Sequence, residues 1–162
     1  IKKTRQLDDK EYNNQKVSFI TIGKKGSEIL NKTGKVISSY DSVFDNLTYN
    51  NVSNIAEIVM NHYEKKTFDQ VVLVYNRFKN AATQIIEVES FLPIVAEKKS
   101  ENNSNVDYIF EPSKSEIISE LLPKSLKMQL FKALRDSFAS EHGARMTAMH
   151  KATDNATDLR DS

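Results

Sequence analysis

The chain has 162 residues, a length typical of a single domain that can bury a core. Its 23 basic and 22 acidic residues leave a net charge of +1, which gives no support for a nucleic-acid-binding protein. The absence of cysteine excludes disulfides, thiolate catalysis and cysteine-ligated zinc.

Membrane insertion and export are not indicated by the sequence. No apolar run approaches the roughly 18 residues that a bilayer-spanning helix needs. The opening segment IKKTRQLDDKEYNN is too charged for a signal peptide, and it lacks an initiating methionine. We therefore expect a soluble protein whose first residue is an internal position of a longer chain.

The N-terminal part predicts a strand, a tight turn, a helix and a second strand. KVSFITIGKKGSEILNKTG opens with a β-branched run that ends at Ile22, and its helical part closes on Gly34. KVISSY is typical of a short strand. The Gly-x-x-Gly turn lacks the dinucleotide fingerprint and the Gly-Lys-Ser/Thr of a phosphate loop, so a structural turn is favoured over a phosphate site.

The middle of the chain predicts a helix followed by strands. NVSNIAEIVMNHYEKKTFD has a helical period, with Ser53 as the expected N-cap. Its expected apolar face comprises Val52, Ile55, Ile58, Val59, His62 and Tyr63. FDQVVLVYNRF contains a continuous apolar run, which is typical of a strand covered on both faces. TQIIEVESFLPI alternates, so we expect a strand with one wet face.

These elements predict an α/β protein with an open Rossmann-like sheet, parallel or mixed, flanked by helices. EKKSENNSN is typical of a polar loop, and VDYIFEPS predicts a last short strand that ends at Pro112. We expect residues 1–112 to form the globular domain and residues 113–162 a helical segment. Ser113 and Glu116 have capping-box spacing, and Pro123 is compatible with a kink or the start of a second helix.

The helical pattern continues from about Ser125 to Ser162, on the order of 55 Å, so part of this helix should protrude. One face carries large residues first, as expected of a helix that lies on a sheet, and small residues later. That face comprises Leu130, Leu134, Phe138, Glu141, Arg145, Ala148, Ala152, Ala156 and Leu159. Alanines every four residues let a second helix approach closely. Residues 1–110 predict no other long helix, so the expected partner helix lies outside this sequence.

Glu141 and Arg145 lie within that face and have the favourable order for an ion pair four residues apart. Either they form a solvated surface pair or they meet groups on a partner, and their place on the packing face favours the second interpretation.

Chemistry-bearing residues are scattered along the chain. His62, His142 and His150 stand apart, and Ser140 lies on a different helix face from His142, so the two form no nucleophile–base pair. No carboxylates have metal-ligand spacing. We therefore expect no catalytic site, no metal and no cofactor.

Three segments together carry a resemblance to a known family. VLVYNRFKNAATQ, DYIFEPS followed by ELLP, and above all ASEHGARMTAMHKATDNAT resemble the gamma subunit of the rotary ATP synthase in its bacterial form. The resemblance runs from FITIGKKG onward, and the cysteine-bearing insert of chloroplast forms is absent. In that family a long helix and an Arg-Gly-Leu-Cys-Gly-like strand open the chain, and more helix closes it. This sequence is therefore expected to be an internal fragment.

The resemblance implies a non-catalytic rotor subunit in the central stalk of a proton- or sodium-driven ATP synthase. Such a subunit couples rotation of the membrane ring to ATP synthesis in the head, where the beta subunits carry the nucleotide chemistry. The terminal helix would continue past Ser162 and wind antiparallel around the absent N-terminal helix. The implied partners are the alpha, beta and epsilon subunits and the c-ring. The implied location is the cytoplasmic face of the bacterial inner membrane, with membrane association only through the complex.

The resemblance also implies roles for individual residues. Tyr108 and Glu111 match a segment beside the polar loops of the membrane ring, although a strand-end packing role also suits Tyr108. Glu141, Arg145 and Met149 match the stretch near the lower part of the head. Two alternatives remain open from the residues alone: an α/β domain that binds a small ligand at the carboxyl ends of its strands, and an adaptor that dimerises through its helix.

Overall fold

The structure is a computed structural model that describes residues 1–10, 12, 16–94 and 114–161. The helices and strands, in chain order, are α1 (Lys2–Lys10), β1 (Phe19–Ile22), α2 (Lys24–Leu30), β2 (Val36–Tyr40), α3 (Tyr49–Glu64), β3 (Val71–Asn80), β4 (Thr83–Leu92) and α4 (Lys114–Asp161). Two short 3₁₀ turns, Asn31–Thr33 and Val43–Asn46, follow α2 and β2. The expected loop at 97–105, the expected strand that ends at Pro112, and Ser113 lie outside the described residues.

The described strands form two pairs. β1 and β2 are parallel, with Ile22 opposite Tyr40, and β3 and β4 form an antiparallel hairpin, with Asn76 opposite Ile86. The predicted α/β class with parallel and antiparallel strands is confirmed. In the described part of the chain, however, the two pairs remain separate two-stranded sheets. The N-terminal helix α1 was not predicted, because Leu7 alone among its residues is buried.

The turn between β1 and α2 depends on the backbone of Gly23. Its φ of 100° lies in the region that favours glycine, and an added Cβ would lie 3.0 Å from the ring of Phe44. At the other end, Gly34 has φ 69° and closes the 3₁₀ turn that follows α2, as predicted. The conformation of Gly23 supports the interpretation of the Gly-x-x-Gly segment as a structural turn.

Helix α3 begins earlier than the sequence predicts. The side chain of Thr48 accepts a hydrogen bond from the Asn51 amide at 3.4 Å, so Thr48 is the N-cap. The prediction of Ser53 as the cap is wrong, because Ser53 lies buried inside the helix. The apolar face also includes Ala56 and excludes Ile58, whose side chain is 40% exposed.

Strand β4 has the predicted alternation. Glu87 and Glu89 are half-buried, whereas Ile86 and Val88 are exposed on the opposite face. The prediction that both faces of β3 are covered is wrong, since Val71–Tyr75 are only half-buried and the rest of the strand is exposed. The outer part of the hairpin thus extends away from the core.

The hydrophobic core lies between α3, α4 and the inner end of the hairpin. It contains Val52, Ile55, Ala56, Val59, Phe91, Leu92, Leu126, Leu130 and Leu134. A cavity of about 1360 Å³ adjoins this core and is bordered by Phe19–Ile22 of β1 and Val71–Val74 of β3. One strand of each pair therefore faces the same space.

Helix α4 is continuous over 48 residues, and Pro123 lies within it. Pro123 therefore does not start a second helix. At about 1.5 Å per residue the helix is roughly 70 Å long, longer than a domain of this size is wide. The predicted protrusion is confirmed: all residues from Ala148 to Asp161 are exposed.

Candidate functional site on the terminal helix

The first part of α4 is fixed to the core by apolar contacts and one ion pair. Leu126, Leu130 and Leu134 are buried at 6%, 4% and 7% exposure. Lys127 Nζ forms an ion pair with Glu57 Oε1 of α3 at a distance of 2.5 Å. These contacts hold α4 against α3 at the base of the protruding part.

A polar network connects the same part of α4 to the hairpin. The Tyr75 hydroxyl donates to Glu89 Oε2 at 2.9 Å, and Gln129 Nε2 donates to Glu89 Oε1 at 2.8 Å. Burial and then the neighbouring Glu89 carboxylate raise the pKa of Tyr75 to about 12. Both oxygens of Glu89 thus accept hydrogen bonds, one from β3 and one from α4.

Further along, α4 covers the edge of β3 at Asn76. The Asn76 amide donates to Ser137 Oγ at 3.1 Å, and Ser140 Oγ donates to the Asn76 carbonyl at 3.2 Å. Ser140 is 1% exposed. Both main-chain groups of Asn76 therefore bond to helix side chains, and here the helix takes the place of a neighbouring strand.

The contact continues to the turn of the hairpin. The hydroxyl of Thr147 lies between two acceptors, the Ala81 carbonyl at 3.1 Å and the Gly143 carbonyl of its own helix at 3.0 Å. A Cβ at Gly143 would lie 3.1 Å from Ala81 Cα and 3.3 Å from the Phe78 ring, so a glycine permits the close approach. We call Ser137, Ser140, Gly143 and Thr147 the hairpin contact.

The hairpin contact was not predicted from the sequence, because small and polar residues give no hydrophobic period. The prediction that Phe138 lies on the sheet-facing side of α4 is wrong. Phe138 is 36% exposed, and its ring stacks on Phe44 with centroids 5.9 Å apart. The rings of Phe138 and His142 are nearly perpendicular, with centroids 4.3 Å apart. A signal for the hairpin contact was present in the spacing of three and four between small residues in one stripe.

The residues predicted to face a partner lie together on the exposed part of α4. Glu141 and Arg145 form the predicted ion pair, with side chains 52% and 62% exposed. Met149 is 65% exposed. The alanines at the predicted helix-packing positions, Ala148, Ala152 and Ala156, are exposed as well. Contact with a partner remains a prediction for all six residues.

Tyr108 and Glu111, the predicted ring contacts, lie outside the described residues. Ser140 and His142 lie on different sides of α4, as expected, since the serine is buried and the histidine is exposed.

Within residues 1–10, 12, 16–94 and 114–161, no group of three or more His, Asp or Glu side chains is placed to hold a metal ion. In the same part of the chain, no helix combines the length and apolar character needed to cross a membrane.

Comparison with known proteins identifies relatives over the whole chain. A family model described as ATP synthase matches residues 1–162. The ATP synthase gamma chain of Christiangramia forsetii is 55% identical over 161 residues, which cover 99% of this chain and 56% of the relative. The gamma chain of Flavobacterium psychrophilum is 56% identical over 150 residues, which cover 93% and 52%. The chain thus spans about half the length of these relatives.

A solved structure agrees with the sequence relatives. It is the central stalk and c-ring of the Tetrahymena thermophila mitochondrial ATP synthase, determined by cryo-electron microscopy. It superposes with a TM-score of 0.68 at 25% identity, covering 92% of this chain and 66% of the other. The long helix and the two strand pairs described above are therefore parts of a known architecture, and the chain belongs to the ATP synthase gamma-chain family.

Proposed function

We propose that the protein containing this chain is the rotor subunit of an ATP synthase. It couples rotation of a membrane ring, driven by protons or sodium ions, to ATP synthesis in a catalytic head. It has no catalytic site of its own, and the chemistry belongs to the head's beta subunits. The observation that carries this proposal is the exposed side of α4 from Ala148 to Leu159, on a chain of the gamma family.

The exposed alanines support pairing with a second helix. Ala148, Ala152 and Ala156 recur every four residues, and Leu159 at 78% exposure extends the same stripe. An apolar stripe of this kind favours burial against a partner, and small side chains allow a close interhelical distance. The relatives have nearly half of their length outside the matched part, which is enough chain for the partner helix. We assign the stripe to that helix, wound antiparallel to α4.

The cavity between the strand pairs supports a second missing element. β1 pairs only with β2, and β3 only with β4, among the described strands. Main-chain groups of an unpaired strand edge gain hydrogen bonds when another strand is added. We assign the space bordered by Phe19–Ile22 and Val71–Val74 to a strand from the same unmatched part of the protein.

We further propose a domain division, partners and a location for the protein. Residues 1–112 form the globular domain and 113–162 the start of the shaft. Tyr108 and Glu111 contact the c-ring, and Glu141, Arg145 and Met149 contact the alpha and beta subunits of the head. The globular domain meets the epsilon subunit. The protein lies at the cytoplasmic face of a bacterial inner membrane and is held there by the complex.

A matched pair of variants in the complete subunit tests the helix pairing. Ala152→Leu places a bulky side chain in the stripe, whereas Thr157→Leu places the same side chain about 140° away around the helix. Both residues are exposed, so both variants should leave the stability of the present chain nearly unchanged. We expect Ala152→Leu alone to reduce assembly and ATP-driven ion pumping. Equal effects of the two variants contradict the pairing.

Calorimetry separates the proposal from the ligand-binding alternative. Titration of the present chain with ATP and with ADP should give no heat of binding, because a rotor subunit leaves nucleotide to the head. Micromolar binding of either nucleotide would favour a small-ligand site instead. Sedimentation of the complete subunit addresses the adaptor alternative, for which a stable homodimer is the distinguishing result.

A further inference from the structure

We propose that the β3–β4 hairpin braces the protruding helix, so that the hairpin contact carries torque between the globular part and the shaft. This inference rests on the proposed rotor function.

The hairpin contact lengthens the supported part of α4. The apolar core holds α4 only as far as Leu134, and from Ala148 onward every described residue is exposed. Between these points the hairpin contact supports the helix for a further distance of about 20 Å. Without it, the helix would be held only as far as the stack of Phe138 on Phe44, and a given sideways force would bend it further.

The hairpin contact is made largely of hydrogen bonds. Apolar contacts are non-directional and permit sliding, whereas hydrogen bonds fix the register of the groups that they join. The hairpin contact has two hydrogen bonds to the main chain of Asn76 and a third to the Ala81 carbonyl, which Thr147 shares with the Gly143 carbonyl. They resist both rotation of α4 about its axis and translation along it.

The backbones of α4 and the hairpin lie close together at Gly143 and Ala81. Any side chain larger than hydrogen at Gly143 meets Ala81 and Phe78 at 3.1–3.3 Å. The strands of a hairpin are stiffened by their mutual pairing, and β3 and β4 are paired from Val71 to Asn80. At Gly143 the helix backbone therefore lies directly against the Ala81 backbone and the Phe78 ring of the hairpin.

The test compares variants of the complete subunit in the assembled ATP synthase. Gly143→Val forces the hairpin turn off the helix, and its control is Ala139→Val, which puts the same side chain at an exposed position one turn earlier in α4.

A milder variant carries Ser137→Ala together with Ser140→Ala and removes the two bonds to Asn76. Its control is Ser125→Ala, the same change at an exposed serine of α4. If Gly143→Val does not assemble, the serine pair decides the outcome.

Two quantities are measured in each assembly. The first is hydrogen exchange of the peptide that contains Asn76, which reports whether the contact has opened. Loss of its hydrogen bond should speed exchange by about tenfold. The second is the ratio of ions pumped to ATP hydrolysed, which reports coupling. We expect faster exchange and a several-fold lower ratio in the contact variants, and wild-type values in both controls.

The outcomes are distinct. Faster exchange with an unchanged ratio overturns the bracing proposal, because an opened contact would then carry no torque. Unchanged exchange together with an unchanged ratio overturns it as well, since the contact would not hold the helix as described. Absence of coupling in the wild type contradicts the proposed rotor function itself, and the bracing proposal fails with it.

Discussion

The hydroxyl of Tyr75 and the carboxylate of Glu89 lie 2.9 Å apart on adjacent strands, and Gln129 of α4 bonds the other oxygen of that carboxylate. The contact between hairpin and helix thus includes a group that titrates at high pH. Burial, then the hydrogen bond to Glu89, and then the charges of Glu89, Glu87 and Asp136 raise the pKa of Tyr75 from 10.0 to about 12.

This shift predicts a loss of stability in alkali. Between pH 10.0 and about 12 the unfolded chain releases the Tyr75 proton while the folded chain retains it. Because the folded state then binds more protons, its free energy of unfolding decreases as pH rises through this range. Tyr75→Phe should flatten that decrease. Chemical denaturation of both proteins across this pH range measures the difference, and parallel curves would contradict the assignment.

Stability should depend on the base of α4 and not on its exposed end. Leu130 is 4% exposed in the core, and Leu130→Ala should lower the free energy of unfolding by about 2–5 kcal/mol. Met149 is 65% exposed, and Met149→Ala should change it by less than about 0.5 kcal/mol. Urea denaturation of the present chain compares the two variants. Similar losses would mean that the exposed end is packed against the rest of the chain.

The glycines around α2 should respond in opposite directions to alanine. Gly26 lies within the helix with open space around its Cβ position, so Gly26→Ala should stabilise the fold by about 0.5–1 kcal/mol. Gly34 has φ 69°, and Gly34→Ala should destabilise it by about 1 kcal/mol. Gly23→Ala should cost more, because its added Cβ also meets the Phe44 ring. Thermal unfolding ranks the three variants, and a stabilising Gly23→Ala would contradict the backbone described here.

Charge reversal at Arg145 should separate coupling from folding. The pair with Glu141 is exposed and contributes about 0.3–0.5 kcal/mol, so Arg145→Glu should cost little stability. In the complete subunit it should nevertheless lower the ratio of ion pumping to ATP hydrolysis, because Arg145 is proposed to contact the head.

The same helix provides the control for that experiment. Lys124 and Glu120 form another exposed pair with the same spacing, and Lys124→Glu should leave coupling unchanged. If Arg145→Glu instead lost several kcal/mol of stability with coupling intact, the Glu141–Arg145 pair would be structural.

Apolar periodicity predicted most of the fold. Val52, Ile55 and Val59 predicted α3, and the alternation around Ile86 and Val88 predicted β4 with its wet face. The α3 interpretation succeeded because its buried apolar side chains have a helical spacing. In β4 the two-residue alternation is present, but its exposed face carries Ile86 and Val88. The cap of α3 was misplaced, since Thr48 and Ser53 are both suitable caps and only the backbone at Thr48 distinguishes them.

The candidate site was predicted only on its exposed side. Ala148 and Arg145 could be placed on one face by counting along the helix. The position of Ser140 against Asn76 joins residues 64 apart, and no local pattern specifies such a pairing. Phe138 was misassigned for a related reason, because a large apolar residue near the end of a core face can pack sideways on another aromatic ring.

The open strands β1 and β3 have a practical consequence for any experiment on the present chain. Each is paired on one side only within the described part of the chain, and the two border a common cavity. Unpaired main-chain amides and carbonyls are templates for strands of other molecules. Concentrated samples should therefore associate by extending their sheets from one molecule to the next, and purification at low concentration should favour the monomer.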